Sequence, residues 1–126
     1  MSGIHLHIWC GVALCALGRL GAPAAVAQQQ ASIATVLSIG DGDTIRVRQA
    51  GRAITVRLAC IDAPETAQSP WGHQARSYLR QRLPIGREVI LNVKTTDRYG
   101  RTVAEVIAGI NINLVLVEDG QAFAYR

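Results

Sequence analysis

Three short segments of alternating apolar and polar residues, separated by two tight turns, place the strongest constraint on the fold of this chain. The segments cover residues 33–39, 44–48 and 54–58 and are rich in β-branched residues. Gly40-Asp41-Gly42-Asp43 and Ala50-Gly51-Arg52 have the composition of turns. Three strands joined in this way form a meander, which cannot bury its apolar face alone. The sheet must therefore curl or be covered.

The rest of the sequence predicts two helices and two further strands. Apolar residues recur at helical spacing in the first helix, namely Trp71, Ala75, Tyr78, Leu79 and Leu83. Ser69 is the predicted cap of this helix and Pro70 an early residue. Residues 88–93 and 102–108 are predicted strands, and residues 111–118 are a predicted apolar helix. Five strands with a helix between the third and fourth predict a mainly β, α+β domain, a closed barrel of the oligonucleotide-binding (OB-fold) type.

Residues 1–27 have most features of a signal peptide. The apolar run at residues 8–17 is too short to span a bilayer, and Ala25-Val26-Ala27 matches an A-x-A cleavage pattern. No Lys or Arg precedes the run, so a buried or membrane-anchoring amino-terminal helix stays open as an alternative. We predict export to the periplasm or the cell exterior after cleavage near Ala27, with residues 28–126 as the folded domain.

Charge and cysteine content add weaker constraints. Residues 28–126 carry 12 basic and 9 acidic side chains, a net charge of +3 that suits a polyanionic partner. Cys60 is the one cysteine in this part and therefore makes no internal disulfide. Its apolar neighbours predict a small buried side chain.

Three motifs combine carboxylates with arginines between residues 41 and 101. They are Asp41-Gly42-Asp43-Thr44, Arg57 followed by Asp62 and Glu65, and Asp97-Arg98-Tyr99-Gly100-Arg101. Carboxylates bind a hard cation and position a water, whereas guanidinium groups bind a phosphate while its charge grows. Together the motifs predict an enzyme that cleaves a phosphate ester with the help of a metal ion.

In this order the motifs resemble the staphylococcal nuclease (thermonuclease) family, and the likeness runs from about residue 33 to Tyr125. The resemblance implies a Ca²⁺-dependent phosphodiesterase, an endonuclease that hydrolyses DNA or RNA and leaves 3′-phosphate ends. It also implies nucleic acid as the partner, and we expect a monomer with no stable protein partner.

The resemblance implies a role for several residues in binding the metal ion. Asp43 and Asp62 match the carboxylate ligands of Ca²⁺, and Asp41 matches an acid that reaches the ion through water. Ala63 stands where a familiar relative has Thr, and it would supply its backbone carbonyl as a ligand.

Other residues match the family's catalytic and substrate-binding groups. Glu65 resembles the residue that orients or deprotonates the attacking water, and Arg57 and Arg101 resemble the phosphate clamp. Residues that resemble substrate contacts are Arg98 and Tyr99 at a neighbouring phosphate and Tyr125 as a base-stacking tyrosine.

Two other interpretations stay open. One is a non-catalytic OB-fold module that binds nucleic acid without cutting it, since each motif alone has an ordinary explanation such as a hairpin turn. The other starts from the family's last C-terminal helix, which follows the tyrosine near Tyr125 and which this sequence lacks. On that interpretation the chain is a truncated nuclease that folds poorly until nucleotide and Ca²⁺ bind.

Overall fold

Five long strands and two helices occupy the positions that the apolar patterns predict. The computed structural model describes residues 31–125, and the predicted signal segment 1–27 lies outside them. The elements are β1 (Ala31–Asp41), β2 (Thr44–Gln49), β3 (Arg52–Leu58), β4 (Ile61–Asp62), α1 (Trp71–Arg82), β5 (Glu88–Thr96), β6 (Thr102–Ala108), β7 (Ile110–Asn111), α2 (Ile112–Glu118) and β8 (Phe123–Ala124). No helix within residues 31–125 is long and apolar enough to cross a membrane.

The five long strands close into a barrel. They lie in the order β3-β2-β1-β5-β6, and β3 also pairs in parallel with β6. Val56 lies opposite Thr102 and Leu58 opposite Ala104 in this closing pair. Closure satisfies the backbone groups that an open sheet would expose along its two outer strands. The predicted five-stranded barrel with two helices is therefore confirmed.

Alternation along the strands places the core inside the barrel. On β2, Ile45 and Val47 are fully buried, whereas Arg46 and Arg48 between and after them are exposed. The other fully buried large side chains come from the remaining strands and both helices, and include Val36, Val56, Leu58, Leu79, Leu83, Leu91, Val106, Ile112 and Leu116. Burial of one such side chain contributes about 1.5–3 kcal/mol to folding.

Helix α1 packs on a different face at its first turn than the sequence predicts. Trp71 is 63% exposed, and the buried residue of this turn is Gly72. A Cβ on Gly72 would lie 1.8 Å from the carbonyl oxygen of Glu65, so only glycine allows the helix to approach this loop. The predicted cap was also wrong, since Pro70 occupies the cap position and no side chain caps the helix.

Two strands of two residues each, β4 and β8, could not be predicted from the sequence, because an alternating apolar pattern is recognisable only in a longer segment. Ile61 lies opposite Ala124, and Asp62 lies opposite Phe123. The backbone N–H of Tyr125 also donates to the carbonyl of Cys60 at 3.0 Å. These contacts hold residues 123–125 beside the segment that carries Asp62.

The predicted burial of Cys60 was wrong. Cys60 is exposed and has a left-handed backbone, with a φ of 62°. The alternation of β3 breaks just before it, where Leu58 and Ala59 are consecutive buried residues, and Ile61 after it is buried again. The side chain between them is therefore turned towards solvent.

A buried asparagine in α2 joins the helix to the barrel. Asn113 is 4% exposed, and its Oδ1 accepts a hydrogen bond from the N–H of Val106 at 3.0 Å. Its Nδ2 donates to the carbonyls of Ala59 at 3.0 Å and Ala104 at 3.1 Å. One side chain thus satisfies three buried backbone groups where β3 ends and β6 runs past it.

We expect Asn113→Ala to lower the free energy of unfolding by about 3 kcal/mol or more, because it leaves buried N–H and C=O groups without partners. The matched control is Asn111→Ala, which removes the α2 cap made by Asn111 Oδ1 and the N–H of Leu114 and should cost about 1 kcal/mol. Urea unfolding of both variants measures the difference. Equal losses would contradict a special role for the buried amide.

Candidate active site

Arg57 lies between two carboxylates at the end of β3. Its Nη2 is 3.4 Å from Asp43 Oδ2 and 3.4 Å from Asp62 Oδ1. Its Nη1 donates to the carbonyl of Leu58 at 3.0 Å, which fixes the plane of the guanidinium. Two aspartates that are 19 positions apart in the chain therefore meet at one arginine.

Asp43 is buried, and its oxygen atoms accept hydrogen bonds from neighbouring segments. Its Oδ2 accepts from the backbone N–H of Ala63 at 2.9 Å, and its Oδ1 accepts from the hydroxyl of Thr44 at 3.1 Å. Its backbone carbonyl accepts from the N–H of Leu58 at 2.8 Å. The β1–β2 turn is thereby joined to the end of β3 and to the loop after β4. The side chain of Asp43 is 9% exposed and has charge-assisted partners.

A glycine allows this turn to sit against its neighbours. A Cβ on Gly42 would lie 2.6 Å from the Cβ of Ala75 and 2.9 Å from the Cβ of Ala63. Gly42 therefore seats the turn in a space bounded by α1 on one side and by the loop after β4 on the other. Sequence patterns suggested a glycine-rich turn but not this close packing.

The loop after β4 holds Glu65 through its backbone. The N–H of Glu65 donates to Oε1 of Gln68 at 2.8 Å, and its carbonyl accepts from the backbone N–H of Gln68 at 2.8 Å. Glu65 is exposed, and its carboxylate makes no ion pair within residues 31–125. The side chain is therefore open to solvent. Gln68 was missed, because nothing in its sequence neighbourhood marks it.

Asp97 organises the turn before β6. Its Oδ1 accepts from the backbone N–H groups of Tyr99 at 3.0 Å and Arg101 at 2.9 Å, and its Oδ2 lies 2.7 Å from Nε of Arg101. Desolvation raises the pKa of Asp97, but the hydrogen bonds from Arg101 and Tyr99 outweigh it and lower the pKa below its ordinary value of 3.8. Asp97 is thus a positioning group for Arg101, a role that the sequence did not reveal.

Arg101 lies just before β6, the strand that pairs in parallel with the strand of Arg57. Arg101 directly precedes Thr102, which pairs with Val56, and paired strands are about 4.8 Å apart. The guanidinium is held by Asp97 and lies 5.5 Å from the ring centre of Tyr99. Barrel closure thus places Arg57 on β3 and Arg101 at the start of the neighbouring β6. Within residues 31–125, the ion pair of Arg101 is with Asp97, and those of Asp43 and Asp62 are with Arg57.

The predicted substrate contacts are exposed. Arg98 Nη2 donates to the hydroxyl of Tyr99 at 2.8 Å, and its guanidinium lies 4.9 Å from the ring centre. Tyr99 is 68% exposed and Tyr125 is 52% exposed. Arg98 and Tyr99 therefore form one basic and aromatic surface at the 97–101 turn, while Tyr125 lies next to the β4–β8 pair.

The acids of the site provide oxygen ligands only. Within residues 31–125, no three His, Cys, Asp or Glu side chains gather in a metal-binding arrangement. Asp41 ends β1 opposite Thr44, which follows Asp43 directly. Asp43 and Asp62 each lie 3.4 Å from the same nitrogen of Arg57, and the Asp62 side chain is 71% exposed, which leaves it free to rotate. Carboxylates, a carbonyl and water fit Ca²⁺ and do not fit a thiolate or imidazole metal site.

Comparison with known proteins finds relatives in one family. The sequence model described as staphylococcal nuclease homologue matches residues 55–126. A micrococcal nuclease from Shigella flexneri is 44% identical over 101 residues, which cover 72% of this chain and 57% of that protein. Protein ParB from Escherichia coli is 40% identical over 101 residues, which cover 72% of this chain and 56% of that protein.

A third relative is an uncharacterized endonuclease from Haemophilus influenzae. It is 43% identical over 93 residues, which cover 72% of this chain and 51% of that protein. The chain thus spans little more than half the length of these three curated relatives.

We expect Asp97→Asn to lower the free energy of unfolding at neutral pH. In acid, the free energy of unfolding of this variant should fall less steeply with pH than that of the unmodified protein. A carboxylate with a lowered folded pKa stabilises the protein above about pH 3.8, and this contribution disappears as the pH falls through the lower folded value. Thermal unfolding between pH 7 and pH 2.5 measures the effect. Glu88→Gln is the control, because Glu88 is exposed and makes no side-chain hydrogen bond or ion pair within residues 31–125. The prediction is wrong if the stability of Asp97→Asn and that of the unmodified protein fall in parallel as the pH is lowered.

We expect Gly42→Ala to lower the free energy of unfolding by about 1–3 kcal/mol through steric overlap. The backbone of Gly42 is not left-handed, so the cost comes from contact with Ala75 and Ala63. Ala75→Gly costs about 1 kcal/mol alone but removes the closer overlap, so the double variant should lose less than the sum of the two. The test is the free energy of unfolding of the unmodified protein, the two single variants and the double variant. If the losses of the two single variants simply add in the double variant, the predicted coupling is disproved.

Proposed function

The chain belongs to the staphylococcal nuclease homologue family, and we propose that it is a Ca²⁺-dependent nuclease that hydrolyses phosphodiester bonds of DNA or RNA. The observation that carries the proposal is the guanidinium of Arg57, placed between the carboxylates of Asp43 and Asp62. This arrangement puts a phosphate-binding group and two hard-cation ligands at one position. Such a combination is what hydrolysis of a phosphodiester requires.

The metal ion would be held by side chains on both sides of Arg57. Asp43 and Asp62 supply carboxylates, Ala63 its backbone carbonyl, and Asp41 a contact through water. When bound, Ca²⁺ offsets negative charge on the phosphate and acidifies a nearby water. The buried hydrogen bonds of Asp43 keep its carboxylate in place, so little reorganisation accompanies binding.

Glu65 takes the proton from the attacking water. Two hydrogen bonds with Gln68 hold the backbone of Glu65, and within residues 31–125 its exposed carboxylate makes no ion pair. The water oxygen bonds to phosphorus, and the bond from phosphorus to the 5′ oxygen breaks. That oxygen takes a proton from solvent and leaves as a hydroxyl, and Glu65 then releases to solvent the proton it took. The other product keeps its phosphate on the 3′ oxygen.

Arg57 and Arg101 stabilise the charge that accumulates on the phosphate oxygens during attack. Both guanidiniums are held by contacts with the protein, Arg57 by the Leu58 carbonyl and Arg101 by Asp97. Preorganised donors of this kind favour the transition state over the ground state, because they need no reorientation as charge develops.

A second candidate function is binding of nucleic acid without hydrolysis. It is favoured by the absence of a cluster of three acidic or other metal-ligating side chains within residues 31–125. The exposed Arg98–Tyr99 surface would serve such a module equally well. Plasmid nicking in Ca²⁺ and in EDTA separates the two candidates, since a binding module leaves the plasmid intact in both buffers.

We expect Arg57→Ala, Glu65→Ala and Arg101→Ala each to lower the rate of Ca²⁺-dependent cleavage by roughly a hundredfold or more. Digestion of single-stranded DNA, duplex DNA and RNA by the purified chain provides the measurement. Arg52→Ala is the matched control, because Arg52 is an exposed arginine at the opposite end of β3.

Two outcomes would count against this mechanism. Near-normal cleavage by any one of the three variants removes that residue from the reaction. Cleavage that continues in EDTA would show that Ca²⁺ is not required. Thermal unfolding of each variant is the control, because it shows whether a lower rate reflects a loss of folded protein.

A further inference from the structure

Three arginines form a line on the outer face of the hairpin that β2 and β3 make. Arg46 and Arg48 alternate with buried residues of β2, and Arg57 alternates with buried residues of β3. Because successive side chains of a strand point to opposite faces, all three lie on the side of the sheet that faces away from the core. We call this line, Arg57, Arg46 and Arg48, the arginine track.

The strand register gives the spacing of the arginine track. Thr44 lies opposite Arg57, and Arg46 follows Thr44 by two positions on the same face. Diagonal neighbours of this kind are about 7–8 Å apart across an antiparallel pair. Arg46 and Arg48 are two positions apart on one strand, which corresponds to about 7 Å. The track therefore starts at the candidate active site and runs along the hairpin in steps of about 7 Å.

The two arginines of β2 have no partner in the part of the chain that the structure describes. Arg46 and Arg48 are both exposed, and neither side chain makes a hydrogen bond, an ion pair or a ring contact within residues 31–125. The acidic residues that the register places nearest to them in this range are Asp41, at the end next to the active site, and Glu88, two strands away from Arg48. The positive charge of this face is therefore available to a ligand.

Hydroxyl side chains flank the two arginines of β2. Ser38 on β1 and Thr55 on β3 lie opposite Arg46, and Thr35 on β1 lies opposite Arg48. Directly opposed residues project to the same face, so these hydroxyls share the outer face with the track. All three are partly exposed, and none makes a side-chain hydrogen bond within residues 31–125. Guanidinium and hydroxyl groups are donors that proteins use for phosphate oxygens, whereas a face that inserts into lipid presents aromatic or long apolar side chains.

We propose that the arginine track binds the phosphodiester backbone of the substrate strand on one side of the bond that is cut. The inference rests on the proposed function and extends it to the path of the strand. Arg57 contacts the phosphate that is cut, and Arg46 and Arg48 contact the next two phosphates. A step of about 7 Å between arginines is close to the distance between consecutive phosphates of an extended strand. Binding along the track is independent of base identity, because every contact is to the backbone.

The first test is the salt dependence of binding. A fluorescent dodecamer of thymidine is titrated with the full chain between about 50 and 200 mM KCl, and anisotropy is measured in EDTA so that nothing is cut. Each phosphate that a protein neutralises on a single strand contributes about 0.7 to the slope of log affinity against log salt. Arg46→Gln and Arg48→Gln should each reduce the slope by about that amount and weaken binding severalfold.

A control with the same net charge makes the test specific. The double variant Arg46→Gln/Arg48→Gln is compared with Arg52→Gln/Arg80→Gln, which neutralises two other exposed arginines. Arg52 is an odd number of positions from Arg57 and so lies on the other face of β3, and Arg80 lies on α1. The control should keep the slope of the unmodified chain, and Arg46→Lys/Arg48→Lys should keep most of it. Thermal unfolding checks that each variant is folded, which is expected for exposed side chains.

Three outcomes would overturn the proposal. One is an equal slope for Arg46→Gln/Arg48→Gln and for the control double variant. Another is a failure of the unmodified chain to bind the strand. The third is a variant that binds the strand normally but no longer binds vesicles of phosphatidylglycerol, since the track would then serve an anionic membrane.

Cleavage of two substrates separates this inference from the nuclease proposal. A thymidine dinucleotide has one phosphate, which occupies Arg57 and leaves none for Arg46 or Arg48, whereas a dodecamer reaches all three. Arg46→Gln/Arg48→Gln should lower kcat/KM for the dodecamer severalfold, chiefly by raising KM, and should leave the dinucleotide nearly unaffected.

The two proposals fail in different ways. If no substrate is cleaved in Ca²⁺ but the difference in slope holds, the nuclease proposal fails and the track stands as a site for the strand. If the unmodified chain cleaves both substrates and the double variant cleaves the dodecamer equally well, the track proposal fails alone.

Discussion

The carboxylate of Asp43 determines how the site is assembled. It is buried, and a buried charge is costly unless it is paired and hydrogen-bonded. The N–H of Ala63, the hydroxyl of Thr44 and the guanidinium of Arg57 supply those partners. Because the partners come from β2, β3 and the loop after β4, the carboxylate can be satisfied only when all three segments are in place. Folding and assembly of the site are therefore coupled through one side chain.

Barrel closure supplies the second condition. Arg57 lies opposite Val103, two residues after Arg101, because β3 and β6 pair in parallel, and that pairing closes the barrel. Asn113 supports the same seam, since its amide bonds the backbone of Ala59 and Ala104. Among the residues proposed for chemistry, Asp62 and Glu65 are exposed, whereas Asp43 and the asparagine that supports the seam are buried.

Much of this fold could be predicted from local sequence, because the long strands expose one face and bury the other. Residues such as Ile45 and Val47 carry that signal clearly. Features fixed by tertiary contact could not be predicted. Trp71 has helical spacing with the core residues, yet Gly72 takes the buried position since only glycine fits against Glu65. Cys60 is apolar in context, yet a positive φ turns it to solvent.

The site shows the same division. The motif order identified Asp43, Asp62 and Arg57 as a group, and the structure brings these three residues together. The motif order does not reveal that Asp97 holds Arg101, because a hydrogen-bonded turn leaves no distinctive spacing in the sequence. The sequence also did not predict an open groove that Trp71 and Phe123 line. These two residues are 52 positions apart in the chain and are brought to one groove by α1 and the β4–β8 pair.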